Sequence, residues 1–531
     1  MLLVRDIRLP LSAPESQAYA QALRLARVPA YKVAGCGVAK LSVDARHGQP
    51  HLVYTIAITL NDEGEAPAFA GASPCVALKE KNVLQVKNGT EPLENRPVVC
   101  GLGPAGLFCA LLLARQGFRP LVLERGPELS RRMAAVEHFS ATGELDEQAN
   151  IQFGEGGAGT FSDGKLTTRI GDALCGFVTE ELLAHGAPPE IAWKQKPHVG
   201  TDLLRGVIRS IRQEIEALGG EVWFDTKLTG LMTDQGRLCG VATTKGELPC
   251  RALVLAVGHS ARDTFDMLLA SGLELTCKPF SVGFRAEHLQ ATIDRALYHE
   301  AAGHPALPRG EYQLSQHVGG RGVYTFCMCP GGQVVAAASE AGGVVTNGMS
   351  YHARAGKNAN AAVVVSVDGA DFGGDPRRAV AFQRELEQRA FAAGRPAGLY
   401  AAPAESLCSF LEGRGELKLN GLVPTYDRGV CPADLGLLLP QELADALRAG
   451  LRAFGRKMPG YTGPEAVLTG LETRTSSPVR LPRGADLQSV QLPGLYPCGE
   501  GAGYAGGIMS AALDGLRVAK AICEQYGPPG G

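Results

Sequence analysis

The segment from Arg96 to Gly126, RPVVCGLGPAGLFCALLLARQGFRPLVLERG, constrains the fold more than any other part of the chain. It reads as a short strand, a glycine turn, a helix and a second strand ending in an acid, the order in which a βαβ unit holds a dinucleotide. Val98 to Cys100 form an apolar run suited to a buried parallel strand. Gly101 permits the tight turn, Gly103 lets the backbone approach a pyrophosphate, and Gly106 allows close helix–strand contact. Pro104 and Ala105 open a helix whose unpaired N–H groups face the anion. Leu107, Ala110, Leu111 and Ala114 recur at helical spacing, Gly117 stops the helix, and Leu121 to Leu123 make the next strand. Glu124, followed by Arg125, lies about twenty residues beyond the glycines, where a carboxylate would accept both hydroxyls of an adenosine ribose. A carboxylate there repels a 2′-phosphate, so NADP is disfavoured at this site.

At 531 residues the chain exceeds one compact core and should divide. Its formal net charge of -2 argues against a general nucleic-acid binder. No apolar run approaches the length of a membrane span, and MLLVRDIRLPLS lacks the basic start and apolar stretch of a signal peptide, so a cytoplasmic location is expected. The fourteen cysteines show no framework of spacings and no C-x-x-C. His47 and His51 flank a turn, not a helix face, so no metal site is expected.

The fold class that follows is α/β: a discontinuous Rossmann-like dinucleotide domain, an inserted mixed α+β substrate domain, and a small N-terminal α+β module. Residues 1–75 form the module, with a strand (Leu2 to Leu9), a helix (Glu15 to Ala26) and a hairpin turning at His47-Gly48-Gln49. Residues 95–276 form the first part of the dinucleotide domain. They include an amphipathic helix from Thr201 to Leu218 and a returning strand, Leu253 to Val257, that stops at Gly258. Residues 277–464 carry short strands such as YTFCMC and ANAAVVVSV and make the substrate domain; residues 465–531 return to the sheet.

Two further glycine-rich segments belong beside the first. FGEGGAGTFSDGKLTTR, from Phe153 to Arg169, matches G-x-x-x-x-G-K at Gly159, Gly164 and Lys165. Leu166, however, stands where a P-loop needs Ser or Thr for magnesium. The better reading is a second cofactor-facing loop containing Gly156, Gly157, Gly159, Thr160 and Lys165. In GLYPCGEGAGYAGGIMSAALDGLRVAKAI, a strand runs into Gly499 and Glu500, and a helix begins at Ile508 after Gly506 and Gly507. Such an acid can bond ribityl hydroxyls, and such a helix start can stabilise charge on a reduced flavin. No second complete βαβ signature occurs, so a nicotinamide donor, NADH or NADPH, would have to bind transiently.

With these pieces in place the chain resembles the flavoproteins with two dinucleotide-binding domains, and specifically a bacterial family described as uncharacterised FAD-dependent dehydrogenases. The stretches that carry the resemblance are GLGPAGLFCALLLARQG, FGEGGAGTFSDGKLTTR, AVGHSARDTF, LETRTSSPVR and PCGEGAGYAGGIMSAALDG. The resemblance implies FAD bound by Gly101, Gly103, Gly106, Glu124 and Glu500, where Glu500 replaces the more usual Asp. It implies no particular substrate.

FAD would supply the electron transfer, and the protein would hold the ring and choose what approaches it. Lys165 could place a positive charge near the flavin or simply contact a phosphate. Arg474 and Arg480 could fork onto an anionic substrate or form an interdomain salt bridge. His259 could donate to a phosphate, relay a proton, or cap its turn. Cys327 and Cys329 sit in apolar sequence without an adjacent cation, which favours inert thiols. His352, Arg354 and Lys357 form a polar cluster of unassigned position. The expected function is an FAD-dependent oxidoreductase of a small-molecule substrate with noncovalent FAD. The alternatives are a flavin monooxygenase and a flavin-dependent RNA-modifying or RNA-binding protein using Lys32, Lys40 and Arg46. The oligomeric state is left open.

Overall fold

In the computed structural model, residues 1–46, 48–79, 84–168 and 170–529 are described. His47 of the expected hairpin turn and Arg169, which ends the second glycine-rich segment, lie outside them.

The N-terminal module is a four-stranded antiparallel sheet in the order Val33–Asp44, His51–Leu60, Leu2–Pro10, Val76–Leu78. Every second residue of His51–Leu60 points inward, so Leu52, Tyr54, Ile56, Ile58 and Leu60 form one buried face. Helix Ser16–Ala26 covers that face with Ala18, Ala22 and Ala26, a stripe of small residues four apart.

The βαβ unit lies at the centre of a five-stranded parallel sheet. Its order is Leu495–Pro497, Leu253–Leu255, Val98–Cys100, Leu121–Leu123, Glu221–Trp223. Chain order reverses on either side of Val98–Cys100, which opens a crevice beyond its carboxyl end. Helix Pro104–Arg115 is buried from Ala105 to Ala114, as its all-apolar sequence requires. It packs in one core with helices Thr201–Ala217 and Ile508–Gln525. The last of these brings the C-terminal segment back to the glycine turn.

The second large sheet has seven strands, in the order Ser315–Val318, Arg321–Cys329, Asn358–Val367, Phe280–Leu289, Val467–Glu472, Ala402–Ser406, Val430–Pro432. Phe280–Leu289 and Asn358–Val367 are buried almost throughout, because both faces of the sheet are covered. On one face, helix Gln441–Lys457 contributes Leu443, Leu447, Leu451 and Phe454 to the core. Arg285 alternates along its strand with the core residues Phe284 and Ala286 and reaches Glu472 on the other face.

One boundary needs correction. The division after residue 464 separates strand Val467–Glu472 from its own sheet, in which it pairs with both Phe280–Leu289 and Ala402–Ser406. Its apolar sequence is equally suited to either sheet, and only pairing decides. The short ribbon formed by Thr276–Cys277 and Val479–Arg480 marks where the chain crosses between the two sheets. Among the described residues no helix is long and apolar enough to cross a membrane.

Candidate functional site

A cleft of about 1560 Å³ lies where the carboxyl ends of the parallel strands meet the polar face of the seven-stranded sheet. Gly101, Gly103, Pro104, Ala105, Glu124 and Arg125 of the first segment line it, together with Gly157, Gly159 and Lys165 of the second. Gly258 and His259, Arg474, and Glu500, Gly506, Gly507 and Ile508 complete the expected set. Gly106, Gly156, Thr160 and Gly499 do not line it; they shape the loops behind it.

The glycine turn has distinct mechanical parts. At Gly101 φ is 101°, and a Cβ would lie 2.3 Å from the Ala256 carbonyl oxygen. At Gly106 it would lie 1.8 Å from the Gly101 oxygen, so neither position admits a side chain. Gly103 differs, since the nearest atom to its Cβ position is Gly157 Cα at 3.9 Å and the remaining space belongs to the cleft. No side chain caps helix Pro104–Arg115 at Gly103 or helix Ile508–Gln525 at Gly507. Two uncapped helix N-termini therefore meet one cleft, an arrangement that leaves N–H donors for an anion. These features fit FAD.

Glu124 is 4% exposed, and its carboxylate accepts from the N–H groups of Leu102 (2.9 Å), Gly126 (2.9 Å) and Gly154 (3.1 Å). A carboxylate offers roughly four lone-pair positions. One remains for a ribose hydroxyl, so Glu124 first ties the two glycine loops together and cannot freely accept both hydroxyls. Arg125 is held by Asp263 through two bonds of 2.9 Å and lies over the Phe153 ring at 3.9 Å.

Sequence reading missed the residue that moulds the second loop. Arg132 is fully buried and donates to the carbonyls of Asn150, Ile151, Gly154, Glu155 and Gly157. Burial pushes its guanidinium down to about 9. Its neighbour Arg131 is an exposed surface arginine, and nothing in the helical pattern distinguishes the two. Thr160 serves the same scaffold, with its hydroxyl on the Glu155 carbonyl at 3.1 Å.

Lys165 reaches the cleft but is paired with Glu311 at 2.6 Å. Asp163 beside it is bound by Arg354. The polar cluster thus bolts the second loop to the seven-stranded sheet: His352 stacks on His198 at 5.3 Å and bonds Glu190 at 3.1 Å. His352 and Arg354 do not line the cleft. Lys357 is exposed.

Arg474 takes the salt-bridge role. It is 7% exposed and forks onto Glu387 at 3.1 and 3.0 Å, while Arg262 grips the same carboxylate at 2.8 and 2.7 Å. Burial alone would raise the Glu387 carboxyl, but Arg474 and Arg262 together hold it well below the usual range. Arg480 is exposed and lies over the Tyr504 ring. His259 contacts Ser260 at 2.9 Å. Burial, then the charges of Arg474, Arg262 and Lys278, push it down to about 3, so it is neutral at physiological pH.

Among the described residues the Glu500 carboxyl has no hydrogen-bond or ion-pair partner, and burial raises it to about 7 against the opposing charge of Lys278. Lys278, another residue the sequence did not single out, is itself held below its ordinary value by burial and donates to Ser476 at 2.5 Å.

The sheet side of the cleft presents Tyr324, Cys327, Asn347 and Glu472. Behind them buried Arg285 donates to Glu472 at 3.1 Å, to the Cys327 carbonyl at 2.7 Å and to Cys329 Sγ at 3.5 Å. The expectation that no cation stands near this cysteine pair is therefore corrected, because Arg285 comes from a strand distant in sequence.

The description "FAD-dependent protein, C-terminal domain-like" matches residues 279–475, the seven-stranded sheet and its helices. A protein of Clostridium beijerinckii described as uncharacterized is 49% identical over 452 residues, covering 85% of this chain and 84% of that one. The chain belongs to the family of uncharacterised FAD-dependent dehydrogenases. Two solved enzymes resemble it at low identity. Glycine oxidase from Geobacillus kaustophilus is 12% identical, with 81% of this chain and 95% of that one covered at a TM-score of 0.35. L-amino acid deaminase from Proteus vulgaris is 12% identical, with coverage of 83% and 96% and a TM-score of 0.32. These scores are too low to carry either substrate to this family member.

Proposed function

We propose that this family member is a dehydrogenase of a small organic substrate, with FAD held noncovalently in the cleft and reducing equivalents exchanged with NADH or NADPH. The observation that carries this reading is the convergence of two uncapped helix N-termini, the open face of Gly103 and the unpartnered carboxyl of Glu500 on one cleft. Bound FAD supplies two-electron transfer. The main-chain N–H groups after Gly103 hold its pyrophosphate, the free lone pair of Glu124 takes one ribose hydroxyl, and Glu500 accepts from the ribityl chain. Lys278, whose charge acts on Glu500, supplies positive potential, Lys165 reaches the cleft as an ion pair with Glu311, and neutral His259 donates a hydrogen bond without adding charge. Substrate enters from the sheet side, where Tyr324, Asn347 and Glu472 can orient a polar group.

Residues 1–75 form a separate module that reaches the rim of the cleft at Ala39 and Lys40, and the seven-stranded sheet binds substrate. Its test is the absorption spectrum of the purified protein, followed by anaerobic titration with NADH and with NADPH. Flavin bands that bleach with one of the two support the proposal and name the donor. A colourless protein that takes up no added FAD defeats it.

A further inference from the structure

Strand Arg321–Cys329 carries a bulge beside the cleft. Phe326 pairs with Ala362 and Cys329 with Asn360, so three steps on one strand answer two on the other. The extra residue returns Met328 to the hydrophobic core and leaves Cys327 opening onto the cleft, at a φ of 44° rarely adopted by a side chain with a Cβ. Such conformations persist where surrounding structure enforces them. Arg285 helps to hold this one: its guanidinium, fixed by Asn360 at 2.8 Å and Glu472 at 3.1 Å, donates to the Cys327 carbonyl at 2.7 Å.

The same bulge leaves both cysteines on the cleft. Cys329 Sγ points back along the strand and donates to the Cys327 carbonyl at 3.3 Å. Two residues apart on an extended strand, Cα atoms lie about 6.6 Å from one another, at the upper edge of the range a disulfide spans. Both cysteines line the cleft that holds the glycine loops, and Lys165 of the second loop acts electrostatically on both.

We propose that Cys327 and Cys329 form a redox-active dithiol that exchanges electrons with the bound FAD. This rests on the FAD reading above. In one direction two electrons from the reduced flavin break the S–S bond, two protons complete the two thiols, and the flavin is left oxidised. In the other, the dithiol gives two electrons and two protons to the oxidised flavin as the S–S bond forms. The thiols are pushed up, Cys329 by its burial, while the Arg285 charge opposes that shift at both and would stabilise a transient thiolate.

The test uses FAD-loaded full-length protein, first oxidised and then titrated anaerobically with dithionite. The expected uptake is four electrons per FAD, two for the flavin and two for the disulfide. Cys327→Ser and Cys329→Ser should each take up two, with FAD content unchanged. In oxidised wild-type protein, the peptide carrying Cys327 and Cys329 should resist alkylation until reduced. Uptake of two electrons by wild-type protein with a full complement of FAD overturns the proposal, as does alkylation of both cysteines in the oxidised state. A protein that binds no FAD but forms the disulfide overturns the electron exchange together with the FAD reading, while a flavoprotein with two alkylatable thiols overturns the dithiol alone.

Discussion

Replacing Glu500 with Gln separates what this side chain costs the fold from what it gives to the cofactor. Burial raises its carboxyl from an ordinary 4.5 to about 7. At 1.36 kcal/mol per unit, ionising it in the folded protein costs at most about 3 kcal/mol, and access to water through the cleft reduces the expected value to about 1–3 kcal/mol. The sign follows from linkage. Between about 4.5 and 7 the folded protein holds a proton that the unfolded chain has released, so wild-type stability falls as pH rises through that window. Glu500→Gln removes the titrating group. Its stability relative to wild type should therefore be level at pH 4 and rise to the full difference above pH 7.

The assay is urea unfolding of FAD-free protein at several pH values, with the midpoint converted through the slope m. FAD binding should move the other way, since the amide exchanges a charged acceptor for a neutral one. A loss of about 1–2 kcal/mol, or roughly five- to thirty-fold in Kd, is expected. Parallel pH–stability curves for the two proteins would refute the burial argument. Unchanged FAD affinity would refute the ribityl assignment.

Gly103→Leu should cost urea stability only about 1 kcal/mol, the loss of a favourable N-cap residue, because φ there is -75° and the nearest protein atom to a Cβ is 3.9 Å away. The same variant should lose FAD, measured as the ratio of flavin to protein absorbance. Glu387→Ala should destabilise by about 3–5 kcal/mol in urea, since it leaves Arg262 and Arg474 buried without a counter-charge. Because the Glu387 carboxyl is held well below its ordinary value, the wild-type contribution is fully present above about pH 5 and shrinks steadily as pH falls below the ordinary carboxyl range, so the gap between the two proteins should narrow with acid and close only far below pH 4. Acid precipitation should release the flavin into the supernatant; yellow colour retained in the pellet would contradict noncovalent binding.

The cofactor side of the cleft was legible because its requirements are local. A glycine that must turn, a glycine that must lie against a backbone oxygen and a helix that must start facing an anion are fixed by neighbours in the chain, so Gly101, Gly106 and Pro104 could be read in order. The N-terminal module was legible for the same reason, its alternating strand and alanine stripe each carrying a period. What sequence alone could not decide were partners distant along the chain. Arg132 and Arg131 occupy one helix with similar surroundings in sequence, yet only Arg132 fills the hole behind the second glycine loop. Arg474 was equally suited to a substrate or a salt bridge until the fold brought Glu387 to it.

The strand Val467–Glu472 and the cysteine pair make the same point about pairing. The strand's apolar residues fit either sheet, and hydrogen-bonding to Phe280–Leu289 assigns it. Cys327 and Cys329 read as inert because the cation beside them, Arg285, sits on another strand. The sequence by itself determined the βαβ unit and the glycine loops, because backbone sterics and helix periodicity act over a few residues. The tertiary structure decided which charges are paired, which strand joins which sheet and which thiols face the cleft, because those depend on groups that only folding brings within a few ångströms.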